Sequence, residues 1–510
     1  MRQLTGMDAQ FLHMETPATQ GHVGSLAIFD GDSAPEPFSF EQVKDILEAR
    51  LHLAPVLRRR LVEVPFGLDQ PYWIEDPDFD LDYHVREIAL PPPGDERRLA
   101  EQVARIHERP LDRNRPLWEL YVIWGLADGH VAQYTKIHHA AVDGVSGAEL
   151  LAVLLDLEPQ PATPPPPEKP WRPEPVPTQL EMLLRGTATL ATQPLKALRF
   201  QRRLLQTLGR RDPGSAVAAA VLPATANLGA VGLAIVDRVV TGRMARPAAK
   251  EGEVVERPPT SAPRTVFNHT ISPHRRFSFG SLSLDTAKEV KNAFGCTVND
   301  VILAVCGGAL RQYLSDRGEL PHEPLLAMVP VSVRTDEQKG AMGNQVSAMI
   351  SSLATDESDP VVRLQKIHRS MVSAKEQHKA IPADLLSDYS QFATPALVAR
   401  AARLIARTKI ADRVNVPFNV TVSNVPGPNF ALYGAGARLV GVYPVSAIAD
   451  GIGLNITVMS YMGDLDFGVV ACRDMLPDPE VLIDHLRDAL GELEKAARGL
   501  ASDGDLPKRA

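Results

Sequence analysis

Apolar and polar positions follow both strand and helix periods along this chain, in both of its halves. β-rich runs of apolar residues occur at 131–137, 325–331, 346–353, 418–423, 438–443, 454–461 and 465–471. Apolar residues at helical spacing occupy 361–378, 393–408 and 479–498. Because strands and helices interleave, the pattern predicts two α/β units with mixed sheets.

Capping residues predict two consecutive helices near residue 300. Asp285 can cap the first helix, and Gly295 is expected to end it. Thr297 can cap a second, longer helix, with Asn299 and Asp300 in its first turn. The positive end of a helix stabilises a carboxylate at that position, so helix capping alone explains Asp300.

Composition divides the chain into four parts. We expect an N-terminal domain over 1–157, a linker and insertion over 158–276, a C-terminal domain over 277–500, and a tail over 501–510. Ten prolines between Pro159 and Pro177 favour extended polyproline, which is typical of a domain boundary or a surface excursion.

The predicted insertion has unusual charge patterning. From 182 to 211 the chain has no acidic residue but seven cationic ones, with leucines at helical spacing. This pattern predicts a basic helix lying on an anionic membrane, although a helix packed on the protein body with its arginines in solvent fits equally. Residues 214–236 lack charge and are long enough to span a bilayer. Pro223, Asn227 and several glycines and alanines make this segment only weakly hydrophobic, which favours a tunnel cover or an interfacial hairpin over a spanning helix. The polar stretch 244–276 is expected to be a mobile loop.

A histidine pair, His138 and His139, follows the β-rich run at 131–137 and precedes a helix-capping box at 146–149. A neutral imidazole on such a turn can take a proton from a hydroxyl group near neutral pH. Asp143 can orient a histidine or pin the loop, and Gly144 permits an unusual backbone conformation. A buried structural histidine and a zinc site are the alternatives, but no second histidine or cysteine motif completes a zinc site.

The string His-His-x-x-x-Asp-Gly resembles the signature of the coenzyme A-dependent acyltransferase superfamily. Within that superfamily, the chain resembles the bacterial wax ester synthase/diacylglycerol acyltransferase family. The segments that carry this resemblance span nearly the whole chain in order, and they are Met7–His13, Gly21–Gly24, Arg115–Glu119, Asn299–Ala304, Val329–Arg334, Ser423–Pro428, Gly453–Ile456 and Ser460–Tyr461.

This resemblance implies two similar halves that face each other across a substrate tunnel. It implies acyl transfer from a long-chain acyl-CoA substrate to diacylglycerol or a fatty alcohol, without a metal or a further cofactor. His139 would be the general base, Asp143 would orient the loop and His138 would support the turn. The activated thioester makes a covalent acyl-enzyme unnecessary.

The resemblance also adds site-shaping residues. Asn299 and Asp300 match the family's Asn-Asp motif, and Arg334 is a candidate partner for Asp143. Gly144 completes the histidine signature. Mutation of Arg334 that left fold and activity intact would exclude its role.

Thr421, Ser423 and Asn424 precede a Pro-Gly turn at the end of a predicted strand. Such polar groups can donate hydrogen bonds to a developing oxyanion, although strand and turn hydrogen bonding explains them equally. Amide-forming condensation domains carry Asp-Phe-Gly-Trp-Gly, whereas Asp466–Val469 lacks the tryptophan. This difference disfavours a condensation activity.

A net charge of −8 argues against nucleic acid as a partner. Three cysteines at unrelated spacings fit a reducing cytosol, and Met1–Gly6 lacks an apolar secretion signal. We therefore expect a cytoplasmic protein, peripherally associated with the inner membrane or with lipid droplets. A catalytically inactive lipid-droplet binding protein is a further alternative, which the intact His139 and Asp143 disfavour.

Overall fold

A computed structural model describes most of the two predicted domains. The described residues are 1–142, 153–160, 164–167, 171–189, 261–332, 346–379, 400, 407–413 and 415–502. They include the α-helices α1 (Gly6–His13), α2 (Phe40–Arg50), α3 (Leu81–His84), α4 (Glu96–His107), α5 (His139–Val142), α6 (Leu284–Phe294), α7 (Val298–Asp316), α8 (Pro360–Lys379) and α9 (Glu480–Ser502).

The strands of the N-terminal half begin near the first residue and end at the histidine pair. They are β1 (Arg2–Gln3), β2 (His22–Asp30), β3 (Arg59–Val62), β4 (Tyr72–Glu75), β5 (Val85–Ala89), β6 (Trp118–Trp124) and β7 (Val131–His138). The strands after the insertion are β8 (Arg275–Ser283), β9 (Leu326–Ser332), β10 (Val346–Ser352), β11 (Val420–Val425), β12 (Tyr433–Gly434), β13 (Ala437–Val445), β14 (Leu454–Tyr461) and β15 (Asp464–Cys472).

The N-terminal sheet contains strands from both halves of the chain. Its order is β12-β13-β2-β7-β6-β5, with β1, β4 and β3 in a separate small sheet. Only the β5–β6 pair is parallel among these six strands. β13 pairs antiparallel with β2, although some 400 residues separate Arg438 from its partner Asp30. Two strands from beyond residue 277, β12 and β13, therefore belong to the sheet of the N-terminal domain.

The C-terminal sheet has the order β10-β9-β11-β14-β15-β8, with β11 parallel to β9 and to β14. Alternation places Val420, Val422, Ile456 and Phe467 on one face, where they join a core formed with α6 to α9. The opposite face carries Phe277 and Phe279 of β8, whose rings pack with α4 and the N-terminal sheet. The prediction of two α/β units with mixed sheets is confirmed.

Asp466 joins the two sheets. This buried carboxylate on β15 accepts hydrogen bonds from Val442 N on β13 (2.8 Å) and from Ser281 Oγ on β8 (2.6 Å). Burial raises the pKa of Asp466 to about 6, because the charged form loses solvation, and the two hydrogen bonds oppose that rise. In the sequence, Asp466 was only the first residue of a segment that departs from the condensation motif. In the structure, its hydrogen bonds connect the two sheets.

The structure corrects two local predictions. Ser283 caps α6 by accepting a hydrogen bond from Thr286 N (3.1 Å), so Asp285 lies in the first turn rather than at the cap. Gly295 ends α6 with a left-handed φ of 66°, as predicted. The last part of the predicted mobile loop at 244–276 is instead packed, because Ala262, Phe267 and Ile271 are buried.

Among the residues with described structure, no single helix combines the length and apolarity needed to cross a membrane. The pair α6 and α7, which meet at 104°, satisfies the length and composition test only when the two are taken together. In the described parts of 158–276, Pro164–Pro167 are non-helical and 179–189 are helical. The rest of the cationic run and the uncharged stretch 214–236 lie outside the described residues.

Candidate active site

The histidine pair lies where β7 ends and α5 begins, as the sequence predicts for a strand-to-helix turn. The backbone of both residues is fixed on two sides. His138 N donates to Leu117 O (2.9 Å), and His139 N donates to Gly21 O (2.9 Å). Gly21 immediately precedes β2, so neighbouring strands of the N-terminal sheet set the position of the pair.

His138 is buried, and both of its ring nitrogens have partners. Nδ1 accepts a hydrogen bond from Ala140 N (3.1 Å), so it carries no proton in the neutral ring. Nε2 lies 3.2 Å from Oε1 of Glu15 and donates to that carboxylate. The contacts therefore define one tautomer of His138, protonated at Nε2.

Glu15, in the segment between α1 and β2, is the centre of a small ionic cluster. Its Oε1 also accepts from Gly21 N (2.8 Å), and its Oε2 accepts from Arg113 Nη2 (2.7 Å). Burial opposes ionisation, but the interactions with His138 and the hydrogen bonds from Arg113 and from Gly21 N outweigh it and lower the pKa of Glu15 to about 2. Glu15 is thus a carboxylate at every physiological pH.

His139 has a different environment from its neighbour. It is half-buried, and its ring stacks on Phe11 of α1, with the centroids 4.0 Å apart and the planes 14° from parallel. Phe11 belongs to the opening motif Met7–His13, so this motif supplies one wall for the second histidine. Only this member of the pair retains a partly exposed side chain.

Two further histidines lie beneath the pair and were not predicted. His22 is the cross-strand neighbour of His138, and its Nε2 donates to His107 O (2.5 Å). His107 contacts Tyr134 Oη through Nδ1 (2.7 Å) and hydrogen-bonds the backbone of Ser446. Burial, with the nearby charges of Arg275 and Lys136, lowers the pKa of His107 to about 3, so the ring is neutral.

A polar strip continues from Ser446 onto the face of the C-terminal sheet that is turned away from its helices. Ser446 Oγ lies 2.8 Å from Thr457 Oγ1, which in turn donates to Asn455 Oδ1 (2.8 Å). Thr457 and Asn455 are the register partners of Ser423 and Thr421 on β11. The strip therefore connects the neighbourhood of the histidines with the predicted oxyanion residues.

The structure divides those three residues between two faces of β11. Thr421 and Ser423 share the polar face, whereas Asn424 lies on the alternate face, with Val422. The following turn is anchored by Gly427 N, which donates to Ser460 Oγ (3.1 Å). Asn424 therefore cannot act from the same face as the other two, and an oxyanion role for Thr421 and Ser423 stays a prediction.

Asp300 and Asn299 lie in the first turn of α7, as predicted. Asp300 and Thr297 form a reciprocal capping box, with Thr297 N donating to Asp300 Oδ2 at 2.9 Å. His368 of α8 adds a contact that the sequence did not predict, because its Nδ1 lies 2.8 Å from the same oxygen. Asn299 is half-buried, and Asp300 is buried. The motif joins two helices at this point.

Asp143, Gly144 and Arg334 lie outside the described residues. The orienting role of Asp143 and its pairing with Arg334 therefore stay predictions. Across the described part of the chain, no three or more His, Cys, Asp or Glu side chains form a group that could hold a metal ion.

Comparisons with known proteins cover both halves. The family model for the wax ester synthase/diacylglycerol acyltransferase catalytic domain matches residues 4–302, and the model for the WS/DGAT C-terminal domain matches residues 342–494. A putative diacylglycerol O-acyltransferase of Mycobacterium tuberculosis is 40% identical over 494 residues, which cover 97% of this chain and 99% of that protein. An O-acyltransferase of Acinetobacter baylyi is 33% identical over 503 residues, covering 96% of each chain.

A solved structure shares the fold. The wax ester synthase/diacylglycerol acyltransferase from Marinobacter aquaeolei has a TM-score of 0.66 and 30% identity, and the match covers 98% of this chain and all of that chain. The fold has two mixed sheets, and β13 of the C-terminal half pairs with β2 in the N-terminal sheet. Together with the paired histidines at the end of β7, these features define a two-domain α/β protein of the acyltransferase type. The chain belongs to the wax ester synthase/diacylglycerol acyltransferase family, which confirms the resemblance drawn from its motifs.

Proposed function

We propose that the protein transfers a long-chain acyl group from acyl-CoA to the hydroxyl group of diacylglycerol, forming triacylglycerol. Fatty alcohols are the second acceptor class, and they yield wax esters. Family membership supports this proposal, as do the acyltransferase relatives that match this chain over nearly its full length.

The contrast between the two histidines carries the mechanistic part of the proposal. His138 is buried with both ring nitrogens engaged, whereas the half-buried ring of His139 stacks on Phe11. A general base must reach the proton that it abstracts, and only a side chain with some access to substrate can do so. His139 is therefore the base, and His138 supports the turn.

The chemistry balances without a covalent enzyme intermediate. The imidazole of His139 takes the proton of the acceptor hydroxyl group while that oxygen attacks the thioester carbonyl carbon. A carbon–oxygen bond forms and the carbonyl oxygen becomes an oxyanion. Collapse of this intermediate breaks the carbon–sulfur bond, and the leaving thiolate of CoA takes the proton from His139.

The remaining residues have supporting roles in this proposal. Asp143 orients the histidine loop with help from Gly144, and Arg334 pairs with Asp143. Thr421 and Ser423 donate hydrogen bonds to the oxyanion, since both hydroxyl groups lie on the polar face of β11. Each role predicts a loss of turnover without unfolding when the side chain is removed.

The substrates of the proposed reaction are lipids, so we expect the protein to act next to a lipid phase. Each buried methylene group contributes about 0.8 kcal/mol, so two long acyl chains bound in the expected tunnel would supply large binding energy. We propose that the protein lies in the cytoplasm, on the inner membrane or on lipid droplets, and that the cationic run between residues 185 and 211 contacts anionic lipid.

Vesicle flotation tests the contact with anionic lipid. Anionic phosphatidylglycerol vesicles should bind the protein more strongly than neutral phosphatidylcholine vesicles. Equal binding to both would exclude the charge-based contact.

The deciding experiment supplies purified protein with palmitoyl-CoA and either dipalmitoylglycerol or hexadecanol, and resolves the neutral lipids. Wild-type protein should form triacylglycerol, and the ratio of the two products measures acceptor preference. His139→Ala should lower turnover by about 10²–10⁴-fold, while His322→Ala, on the exposed surface, serves as the matched control. If the wild type binds acyl-CoA without turnover, the protein is a lipid-binding protein and the proposal is wrong.

A further inference from the structure

Glu15 contacts His138 directly and is linked to His139 through the backbone of Gly21. Its Oε1 accepts from Nε2 of His138 (3.2 Å) and from the backbone N–H of Gly21 (2.8 Å). The carbonyl of the same Gly21 accepts from the backbone N–H of His139 (2.9 Å). One carboxylate thus fixes the ring of the first histidine and the peptide that holds the second.

The tautomer of His138 matters for the geometry of its neighbour. Nδ1 of His138 accepts the N–H of Ala140, the residue directly after His139. If the proton moved to Nδ1, two donors would face each other and this bond would be lost. A hydrogen-bond acceptor next to Nε2 keeps the proton on that nitrogen, and Oε1 of Glu15 is such an acceptor.

Two arginines hold the segment that carries Glu15. Nη2 of Arg113 donates to Oε2 of Glu15 (2.7 Å) and also to Leu12 O (2.6 Å). From the C-terminal half, the guanidinium group of Arg275 donates to Ala18 O in the same segment. The carboxylate is therefore held in place by both halves of the protein.

We propose that Glu15 is a positioning residue for acyl transfer, which keeps His138 in the Nε2–H tautomer and thereby holds the backbone of His139 in its catalytic position. This inference rests on the proposed function, in which His139 is the base. A purely structural alternative exists, in which Glu15 serves only to neutralise Arg113.

Glu63 provides a matched control for that alternative. It is a second carboxylate bound to Arg113, at 3.0 Å from Nη1, but its side chain is 65% exposed, and it hydrogen-bonds Arg113 rather than either histidine of the pair. Glu15→Gln keeps an acceptor oxygen for His138 while it removes the charge opposite Arg113, and Glu15→Ala removes both. Together with Glu63→Gln, these two variants separate charge neutralisation from positioning.

The first measurement is steady-state kinetics with palmitoyl-CoA and dipalmitoylglycerol. We expect Glu15→Ala to lower kcat by about 100-fold with KM for palmitoyl-CoA little changed, since a small displacement of a catalytic group has an effect of this size. Glu15→Gln should restore a substantial part of that loss, and Glu63→Gln should match the wild type. Equal losses in Glu15→Gln and Glu63→Gln would show that only the charge on Arg113 matters and would overturn the proposal.

The second measurement reports the tautomer without any turnover. In protein labelled with ¹⁵N-histidine, the ring signals of His138 are those that disappear in His138→Gln. The wild type and Glu15→Gln should show the Nε2–H pattern, and Glu15→Ala should show exchange with the Nδ1–H form. Unchanged His138 signals in folded Glu15→Ala would refute the tautomer assignment. An inactive wild type would instead exclude the proposed function, while these signals would still decide the role of Glu15.

Discussion

Gly21 lies so close to His138 that a Cβ atom at position 21 would stand 2.7 Å from Nε2 of the ring and 2.8 Å from Phe11 O. The second contact is with backbone, so the strain cannot be relieved by a simple side-chain rotation. We predict that Gly21→Ala destabilises the fold by about 1–3 kcal/mol and lowers acyl transfer, because Nε2 must leave Glu15. Urea unfolding and turnover measure the two effects.

Gly491 on α9 is the control for that substitution. A Cβ atom there meets no atom within 4 Å, so Gly491→Ala should leave activity unchanged and stabilise the helix by about 0.5–1 kcal/mol. If the two alanine variants behaved alike, close packing at the histidine turn would not be the cause.

Asp300 should matter more for stability than another acidic residue in a first helical turn. Asp300→Ala removes half of a capping box and the partner of His368, so we expect a cost of about 2 kcal/mol. Asp285 occupies the first turn of α6 but is exposed, and Asp285→Ala should cost less than about 0.5 kcal/mol. Similar melting temperatures for the two variants would contradict the structural role of Asp300.

Asp466 should tolerate an amide but not a methyl group. Asp466→Ala leaves Val442 N–H and the Ser281 hydroxyl group without their acceptor, at a cost of about 2–4 kcal/mol. Asp466→Asn keeps an acceptor for Val442 and should cost far less.

The raised pKa of Asp466, about 6, also predicts a pH dependence of stability. The folded state binds the proton of this carboxyl group more tightly than the unfolded state, so the stability that Asp466 contributes grows as pH falls from 6 towards 4. Asp464→Ala, exposed on the same strand, is the control.

Buried neutral histidines should make the protein sensitive to mild acid. His84 is stacked on Trp118 with a centroid distance of 4.6 Å, and burial lowers its pKa to about 4. Because the unfolded chain binds this proton more readily, stability is lost as pH falls below about 6.5, by roughly 2 kcal/mol per such histidine at pH 5. Urea midpoints at pH 7 and pH 5 measure the loss.

The pH dependence should become shallower in His84→Gln, whatever the stability of that variant at pH 7. His322→Gln, at an exposed site, should keep the wild-type slope. A slope that His84→Gln leaves unaltered would place the acid sensitivity elsewhere.

Local signals were sufficient wherever neighbouring residues determine the structure. The strand before the histidines, the cap at Thr297 and the end of α6 at Gly295 were all predicted, because each depends on residues that are close in sequence. The same local reasoning chose Asp285 over Ser283 as a cap, since either side chain can accept the hydrogen bond.

Long-range contacts gave no local signal. Glu15 is a single carboxylate between two ordinary residues, and its partners Arg113 and His138 lie 98 and 123 positions away. His22 and His107 likewise become neighbours only when β2 and α4 meet. Asn424 is different, because the two-residue period of a strand already separates it from Thr421 and Ser423.

β13, the strand that the C-terminal half contributes to the N-terminal sheet, limits how relatives of this chain can be recombined. A hybrid joined at the end of the insertion would bring a foreign β13 to the edge of β2, where seven residue pairs must fit across a bulge. Recombining the N-terminal half of one relative with the C-terminal half of another would therefore have to preserve the residue pairs between β2 and β13. The β2–β13 pairing therefore ties the sequence of one half to that of the other.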